Sequence, residues 1–195
     1  MSLRDEILFV SKELLIKEGF SKMSMRRIAK KAGVSATSIY LYFKNKDELL
    51  LTLIEESIEN LKTALMEVVD ESKGFLMQLE EMARAYIQFA LNHPQEYEII
   101  YLVRPEEMPK YPREKFMNIR SAYELLAGII REGHYQEHIT VEDDLINAYT
   151  LWAQLHGVVS VILNKRLDTR IPLDQFIDQA LENIIKGFVL QKSPI

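Results

Sequence analysis

Apolar residues recur three and four positions apart along almost the whole 195-residue chain, which is the spacing of one face of an α-helix. The clearest stripe consists of Leu50, Ile54, Ile58, Leu61, Leu65 and Val68. Only 7 Gly and 6 Pro interrupt such stripes, and the strict alternation of a half-buried β-strand is absent. The sequence therefore predicts an all-α fold of about nine helices.

Capping residues place the first four helices. Gly19 is expected to end the first helix, and Gly33 the second, in a turn with positive φ. Ser24 and Ser35 are expected to cap the N-termini of the second and third helices. Asn45, with a Glu three positions later, opens the long fourth helix that carries the apolar stripe. The second and third helices are therefore short and joined by a tight turn.

Breaks and caps also divide the rest of the chain. His93-Pro94 separates the fifth helix from a short sixth one. The seventh helix is expected to end near Gly133. Thr140 is expected to cap the eighth helix, because three carboxylates follow it where they complement the helix dipole. The ninth helix is predicted from Pro172 to about residue 190.

Charge is unevenly distributed in a chain whose formal net charge is -5. Residues 1–50 hold ten Lys and Arg against six Asp and Glu, whereas residues 51–195 hold 14 against 23. The stretch from Gly19 to Lys46, called the basic segment below, contains seven Lys and Arg and no Asp or Glu. This asymmetry indicates a polyanion-binding part on an acidic body, with a solvated basic face as the alternative.

Several classes of protein are disfavoured. The chain has no Cys, which excludes disulfides and thiolate metal sites. Charged residues interrupt the early apolar runs, and no run approaches the ~20 residues of a membrane span, so we expect a cytoplasmic protein without a membrane segment. No nucleophile–base pair or Gly-rich phosphate loop emerges, so neither an enzyme nor a cofactor is expected. His134 and His138 have the spacing of a metal pair, but Gly133 opposes a regular helix there, and no metal site is predicted.

A tight turn between two short helices, preceded by a helix that packs across them, is typical of a helix-turn-helix. The segment MRRIAKKAGVSATSIYLYFKNKDELL, residues 25–50, resembles the DNA-binding signature of the TetR (tetracycline-repressor-like) transcriptional regulators. The matching residues are Ile28-Ala29, Ala32-Gly33-Val34-Ser35, Tyr40, Tyr42-Phe43, Lys46 and Leu49-Leu50. Thr37 departs from the Gly of many members, which bears on the operator sequence rather than on the DNA-binding role.

The resemblance implies a DNA-binding domain over residues 1–46 and a helical domain over residues 47–195 that binds a small effector and dimerises. The DNA-contacting residues that it implies are Arg26, Ser35, Ala36, Thr37, Ser38, Tyr40, Tyr42 and Lys46. Arg26 is expected near a base edge or a phosphate, the third helix at the bases, and the last three at the phosphate backbone. Core packing is the alternative for the tyrosines, and a solvated face is the alternative for Lys30 and Lys31.

The predicted helical domain carries a second short match, because Trp152 and His156-Gly157 resemble a Trp-x-x-x-His-Gly element of some TetR-like domains. Many aromatic residues of its central helices could line a cavity for a small apolar or aromatic effector. The candidates are Tyr86, Phe89, His93, Tyr123, Trp152 and His156, with packed core as the alternative for each. Gly157 inside an apolar helix suggests a close approach of another helix.

Two helices of the domain are candidates for a dimer interface, because a helix-turn-helix usually reads two half-sites as a symmetric dimer. The candidate interface residues on the eighth and ninth helices are Leu145, Tyr149, Leu155, Val159, Ile162, Phe176, Ala180, Ile184 and Phe188. The sequence thus predicts a ligand-responsive homodimeric repressor of a palindromic double-stranded DNA operator. The alternatives are a protein-binding co-regulator of the same fold and an all-α enzyme.

Overall fold

The computed structural model describes residues 2–70, 72–102, 113–135 and 143–189, and the side chains within these ranges except at 102, 113–122 and 188–189. The helices are α1 (Leu3–Glu18), α2 (Met25–Lys31), α3 (Ala36–Tyr40), α4 (Lys46–Met66), α5 (Phe75–Asn92), α6 (Pro94–Leu102), α7 (Arg113–Tyr135), α8 (Asp144–Leu163) and α9 (Leu173–Val189), with a 3-10 turn at Phe20–Lys22. No strand occurs in these ranges. The predicted all-α fold is confirmed.

The chain forms two compact units. The first comprises residues 1–60 with 95–119, and the second comprises residues 61–94 with 120–195. Helices α4 and α7 each have one end in each unit. This division follows spatial compactness, whereas the predicted boundary after Lys46 is a functional one and stays a prediction.

The first unit begins with three helices whose ends match the predicted caps. Ser24 accepts a hydrogen bond from the Arg27 N–H at 3.3 Å, and Ser35 accepts one from the Ser38 N–H at 3.1 Å. Gly19 and Gly33 have φ angles of 79° and 68°, in the region where a side chain would be strained. The positive φ at Gly33 lets the chain turn directly from α2 into α3.

Helix α4 also begins as predicted. The Asn45 side-chain oxygen accepts a hydrogen bond from the Glu48 N–H at 2.8 Å, and the Glu48 carboxylate accepts one from the Lys44 N–H. The core beside these caps consists of fully buried side chains, among them Ile7, Ile28, Ile39, Leu49 and Leu50. Truncating one of them to Ala would cost about 2–5 kcal/mol. Tertiary packing therefore holds α2 and α3, which are too short to be stable alone.

In the second unit, helices α5, α8 and α9 pack against one another. Helix α8 buries Ala148, Leu151, Leu155 and Val159, which share one face. The prediction that Thr140 caps this helix is wrong. Asp143 is the N-cap, and its carboxylate accepts hydrogen bonds from the N–H groups of Leu145 and Ile146 at 2.8 and 2.9 Å. Thr140 itself lies outside the described residues.

Helix α7 continues through Gly133 to Tyr135, which agrees with the predicted end near Gly133 to within two residues. A Cβ at Gly133 would collide with the buried ring of Phe75, and the glycine therefore makes room for this ring. His134 lies within the helix, whereas His138 lies outside the described residues. Among the residues that the structure describes, no group of three or more His, Asp or Glu is placed to hold a metal ion.

Helix α8 is unusually apolar. By length and composition alone it could cross a membrane, with a mean hydropathy of 1.2, and only 22% of that window is buried within the chain. Ile146 is 63% exposed, and a Cβ added at Gly157 would meet nothing within 4 Å. The suggested close approach at Gly157 is therefore not made by any residue that the structure describes.

Candidate nucleic-acid interface

The side chains of α3 divide between the core of the first unit and solvent. Ile39 is completely buried and fixes the helix on the core of the first unit. Thr37 lies on the exposed side, while Ala36 and Ser38 are half-buried. Of Ala36, Thr37 and Ser38, Thr37 is consequently the most exposed to a partner.

The N-cap serine of α3 and the serine in its first turn hydrogen-bond to each other. Besides its cap contact, the Ser35 hydroxyl lies 2.8 Å from the Ser38 hydroxyl. Ser35 therefore has a structural role at the N-terminus of α3 in addition to the predicted contact with DNA.

Three large side chains in succession are exposed at the end of α3 and just beyond it. Tyr40 is 53% exposed, Leu41 80% and Tyr42 45%. The alternative that these tyrosines are core residues is excluded by this exposure, whereas Phe43 next to them is buried. These three adjacent exposed side chains are therefore a candidate contact surface.

The adjacent arginines of α2 differ in their partners. The Arg27 guanidinium binds both carboxylate oxygens of Glu18, at 2.8 and 2.6 Å, and donates to the Lys22 carbonyl at 3.0 Å. Arg26 is exposed and has no hydrogen-bond or ion-pair partner among the described residues. Arg26 is therefore available to a ligand, and Arg27 connects α2 to α1.

Lys30 and Lys31 of α2 also differ in their partners. The Lys31 ammonium lies 2.9 Å from the Glu13 carboxylate of α1, and this hydrogen bond is the main reason that the pKa of Glu13 is lowered. Lys30 is exposed and has no described partner. Because residues four apart share a helix face, Arg26 and Lys30 form one basic face of α2.

Lys46, at the start of α4, is held within the first unit. Its ammonium donates a hydrogen bond to the Phe20 carbonyl at 3.1 Å and lies 3.7 Å from the centre of the Phe20 ring. An ammonium has three donors, so this contact leaves capacity for a phosphate. The contact also fixes the start of α4 to the turn that follows α1.

Four of the six predicted effector residues, Tyr86, Tyr123, Trp152 and His156, lie in an aromatic cluster in the second unit. The Trp152 indole donates a hydrogen bond to the Tyr86 hydroxyl at 3.0 Å, and the Tyr123 ring meets the Trp152 ring edge-on at 5.1 Å. Tyr149 stacks on Tyr123 at 4.9 Å, and His156 lies 5.3 Å from Trp152. Below, "aromatic cluster" means these five residues: Tyr86, Tyr123, Tyr149, Trp152 and His156.

Burial lowers the pKa of His156 below its ordinary value of 6.5. The neutral imidazole therefore offers one donor and one acceptor to the cluster at neutral pH. Two other predicted residues lie elsewhere: Phe89 is buried with its ring 5.2 Å from that of His93, and His93 is exposed at the C-terminal cap of α5.

The predicted dimer residues divide into three groups. Leu155, Val159 and Ile184 are buried within the chain, so they offer no surface to a second subunit. Leu145 is exposed, and Ile162, Phe176, Ala180 and Tyr149 are half-buried. The Phe188 side chain lies outside the described part. The apolar faces of α8 and α9 pack partly on their own chain, which the helical periodicity could not distinguish from an interface.

Two features of these sites were missed by sequence reasoning. Tyr149 has the i, i+3, i+7 spacing to Trp152 and His156 that would have placed it in the aromatic cluster. The contact between Lys46 and Phe20 spans 26 positions and has no signal in local spacing.

Comparison with known proteins agrees with this architecture. Residues 7–53 match the family described as bacterial regulatory proteins, tetR family, and residues 79–185 match the tetracyclin repressor-like C-terminal domain. An uncharacterized HTH-type transcriptional regulator of Haemophilus influenzae is 36% identical over 92 residues, which are 47% of this chain and 49% of that protein. The HTH-type transcriptional activator FasR of Mycolicibacterium smegmatis is 26% identical over 98 residues, 50% of this chain and 45% of that one.

The chain thus spans about half the length of the curated relatives it matches. Among solved structures, the fatty acid degradation regulator FadR from Bacillus halodurans has the same fold, with a TM-score of 0.75 and 19% identity over 93% of this chain and 94% of that one. The match to the C-terminal domain alone covers more than half of this chain. The chain belongs to the TetR family of bacterial regulatory proteins.

Proposed function

We propose that this protein is a DNA-binding transcriptional regulator whose interface comprises α3, the exposed face of α2 and the turn after α3. The observation that carries the proposal is that exposed basic side chains without a described partner and exposed aromatic side chains occur together: Arg26 and Lys30 on α2, Tyr40 at the end of α3 and Tyr42 just after it. Phosphates attract the cations, and tyrosine hydroxyls can donate to phosphate oxygens. Thr37 would then meet base edges in the major groove.

The test is selection of bound duplexes from a random double-stranded DNA library, followed by a salt titration of the selected duplex. We expect enrichment of a two-fold symmetric sequence and a linear loss of log affinity with log salt concentration. Enrichment of no sequence, with affinity at physiological salt no greater than that of random DNA, would favour the protein-binding co-regulator instead.

The functional form that we propose is a homodimer, with α8 and α9 of each chain at the interface. The argument rests on α8. Only 22% of this long apolar helix is buried within the chain, and exposed apolar surface of this extent is typically buried against another protein surface. The candidates that remain exposed or half-buried are Leu145, Tyr149, Ile162, Phe176 and Ala180, and Ile146 joins them. A second subunit supplies the cover in a cytoplasmic protein. Light scattering that shows only monomer at micromolar concentration, with DNA binding intact, would contradict this.

We further propose that the aromatic cluster takes part in binding a small apolar or aromatic effector that lowers operator affinity. The support is the convergence of four aromatic rings and a neutral imidazole from α5, α7 and α8. An effector acts only through its different affinity for two conformations, so tenfold release of DNA needs about 1.4 kcal/mol of coupling. Helix α4 is the proposed lever, because it begins at Lys46 and ends in the unit that contains the cluster.

Trp152 is the sole tryptophan, and its fluorescence therefore reports on the cluster directly. A panel of aromatic compounds and acyl chains is expected to contain members that shift this fluorescence and raise the melting temperature together. Absence of both changes across the panel would favour a constitutive regulator with a packed cluster. Whether the protein represses or activates follows from transcription measured with and without it, and we propose repression.

A further inference from the structure

A half-open cavity of about 210 Å³ lies in the first unit between α1, α4 and α6, and its lining residues Asp5, Phe9, Glu56 and Asn60 are exposed to solvent. Its lining residues are Asp5, Leu8, Phe9 and Lys12 from α1, Leu53, Glu56, Ser57 and Asn60 from α4, and Glu96 from α6. The residues from α1 and α4 follow the same i, i+3, i+4, i+7 spacing, so each helix turns one face toward the cavity. None of them belongs to the proposed DNA interface or the aromatic cluster.

The lining includes a buried hydroxyl without a partner. Ser57 is 3% exposed, and its hydroxyl makes no hydrogen bond within the described part of the chain. Ser11, the other buried serine in this part of the chain, donates to the Ile7 carbonyl at 2.7 Å. Buried polar groups are nearly always satisfied, so the Ser57 hydroxyl requires a partner in the cavity, which is either water or a polar group of a ligand.

The charged lining favours a cation. The Lys12 ammonium is occupied by one Glu96 oxygen at 2.9 Å, and the other Glu96 oxygen accepts from the Asn60 amide at 2.8 Å. One carboxylate oxygen of Asp5 accepts a hydrogen bond from the Ser2 N–H at 2.9 Å. One carboxylate oxygen of Glu56 accepts a hydrogen bond from the Arg4 guanidinium at 3.1 Å. Their second oxygens have no hydrogen bond among the described residues and can accept donors from a ligand.

The shape argues for an organic cation. The carboxylates do not converge as a group that could hold a metal ion. Leu8 and Leu53 are buried apolar side chains, whereas the Phe9 ring is largely exposed, where it can stack on a ligand or face a cation. The volume is below the roughly 300–1,000 Å³ of sites for drug-sized ligands, so the ligand is a small metabolite.

We propose that this cavity binds a small amine that also carries a hydroxyl group. The ammonium would lie against Asp5 and Glu56, the apolar body against Leu53 and Phe9, and the hydroxyl would bond to Ser57. The proposal is independent of the effector proposed above. This ligand is a charged amine bound by α1, α4 and α6, whereas that effector is apolar or aromatic and is bound by α5, α7 and α8. An amine bound here would contact α1, α4 and α6 together.

The test is calorimetric titration of the full chain with three matched probes. Tyramine carries the ammonium, the ring and the hydroxyl, 2-phenylethylamine lacks the hydroxyl, and 4-hydroxyphenylacetate replaces the ammonium with a carboxylate. We expect saturable one-to-one binding of tyramine with a Kd below about 1 mM, weaker binding of 2-phenylethylamine and none of 4-hydroxyphenylacetate. Absence of saturable tyramine binding at millimolar concentration, or equal binding of the anion, overturns the proposal.

Two variants locate the site. Ser57→Ala should raise the Kd of tyramine about threefold to tenfold and leave that of 2-phenylethylamine within about twofold. Glu56→Gln should raise the Kd of both amines about threefold to fivefold. Glu67→Gln, which removes the same charge just beyond the end of α4, is the control and should change neither.

Folding does not confuse the result. Ser57→Ala removes a hydroxyl that lacks a partner, so the melting temperature should be unchanged or higher. If Ser57→Ala leaves the tyramine Kd unchanged, the hydroxyl is satisfied by water alone and the proposal is wrong.

Discussion

The Lys46 ammonium lies 3.7 Å from the centre of the Phe20 ring and 3.1 Å from the Phe20 carbonyl oxygen. The first residue of α4 is thereby tied to the turn between α1 and α2. A cation held in this way is pre-organised for a phosphate, because its side chain has already lost part of its rotamer freedom. We therefore propose that Lys46 has a phosphate-binding role in addition to its contact with Phe20, and substitutions can separate the two.

Lys46→Ala should weaken binding to all DNA sequences and flatten the dependence of log affinity on log salt concentration by about 0.9. It should also lower the free energy of unfolding by about 0.5–1 kcal/mol through the lost ring contact. Phe20→Leu is the matched control, since it removes the ring and keeps the charge. Identical salt slopes for wild type and Lys46→Ala, measured by fluorescence anisotropy, would remove Lys46 from the phosphate contacts.

The neighbouring arginines of α2 form a second matched pair. Arg26→Ala should reduce operator affinity by about 1–3 kcal/mol, since Arg26 has no described partner to lose in the free protein. Arg27→Ala should mainly lower stability, by about 0.2–1 kcal/mol, because its bond to Glu18 is a partly exposed ion pair. Anisotropy and urea unfolding on both variants decide the matter, and a larger affinity loss for Arg27→Ala would reverse the assignment.

Thr37 is expected to read sequence. Thr37→Ala should alter the base preference at one or two positions of the selected operator and leave the salt slope unchanged, because we expect the Thr37 side chain to contact a base edge rather than a phosphate. Library selection with wild type and variant in parallel measures the preference. An unchanged preference with a flatter slope would assign Thr37 to the backbone.

The helix-turn-helix was predictable because local chemistry determines it. Ser24, Ser35 and Asn45 cap helices through contacts three positions away, and Gly33 takes the positive φ that its turn needs. The family resemblance over residues 25–50 and the predicted inward positions of Ile39 and Phe43 depend on the same short range. Exposure of Tyr40 and Tyr42 follows from these positions, so the prediction of an outward face was secure.

The pairing of charges could not be predicted, since it depends on distant residues. Arg26 and Arg27 are adjacent in sequence, and only the packing of α1 on α2 gives Arg27 the Glu18 carboxylate. For Leu155 and Val159, the surface that buries them could not be predicted from the sequence either. An apolar stripe predicts burial and does not say whether its own chain or a second subunit provides it.

Two glycines of α7 should respond oppositely to the same substitution. Gly133→Ala should lower the free energy of unfolding by about 1–3 kcal/mol, because the added methyl would collide with the buried Phe75 ring. At Gly128 a Cβ meets nothing within 4 Å, so Gly128→Ala should stabilise by about 0.5–1 kcal/mol through helix propensity. Urea unfolding of both variants measures the difference, and equal stabilisation would mean that Phe75 moves aside freely.

His156 should make stability depend on pH. Burial lowers its pKa in the folded chain below the ordinary 6.5, which the unfolded chain retains. Below about pH 6.5 the unfolded state therefore binds more protons, so this contribution to stability is complete at higher pH and is lost as the pH falls toward the folded pKa. His156→Gln should reduce the difference in unfolding free energy between pH 5 and pH 8, whereas His93→Gln, at an exposed position, is the control. If both variants keep the wild-type pH dependence, the imidazole of His156 is not desolvated by the aromatic cluster.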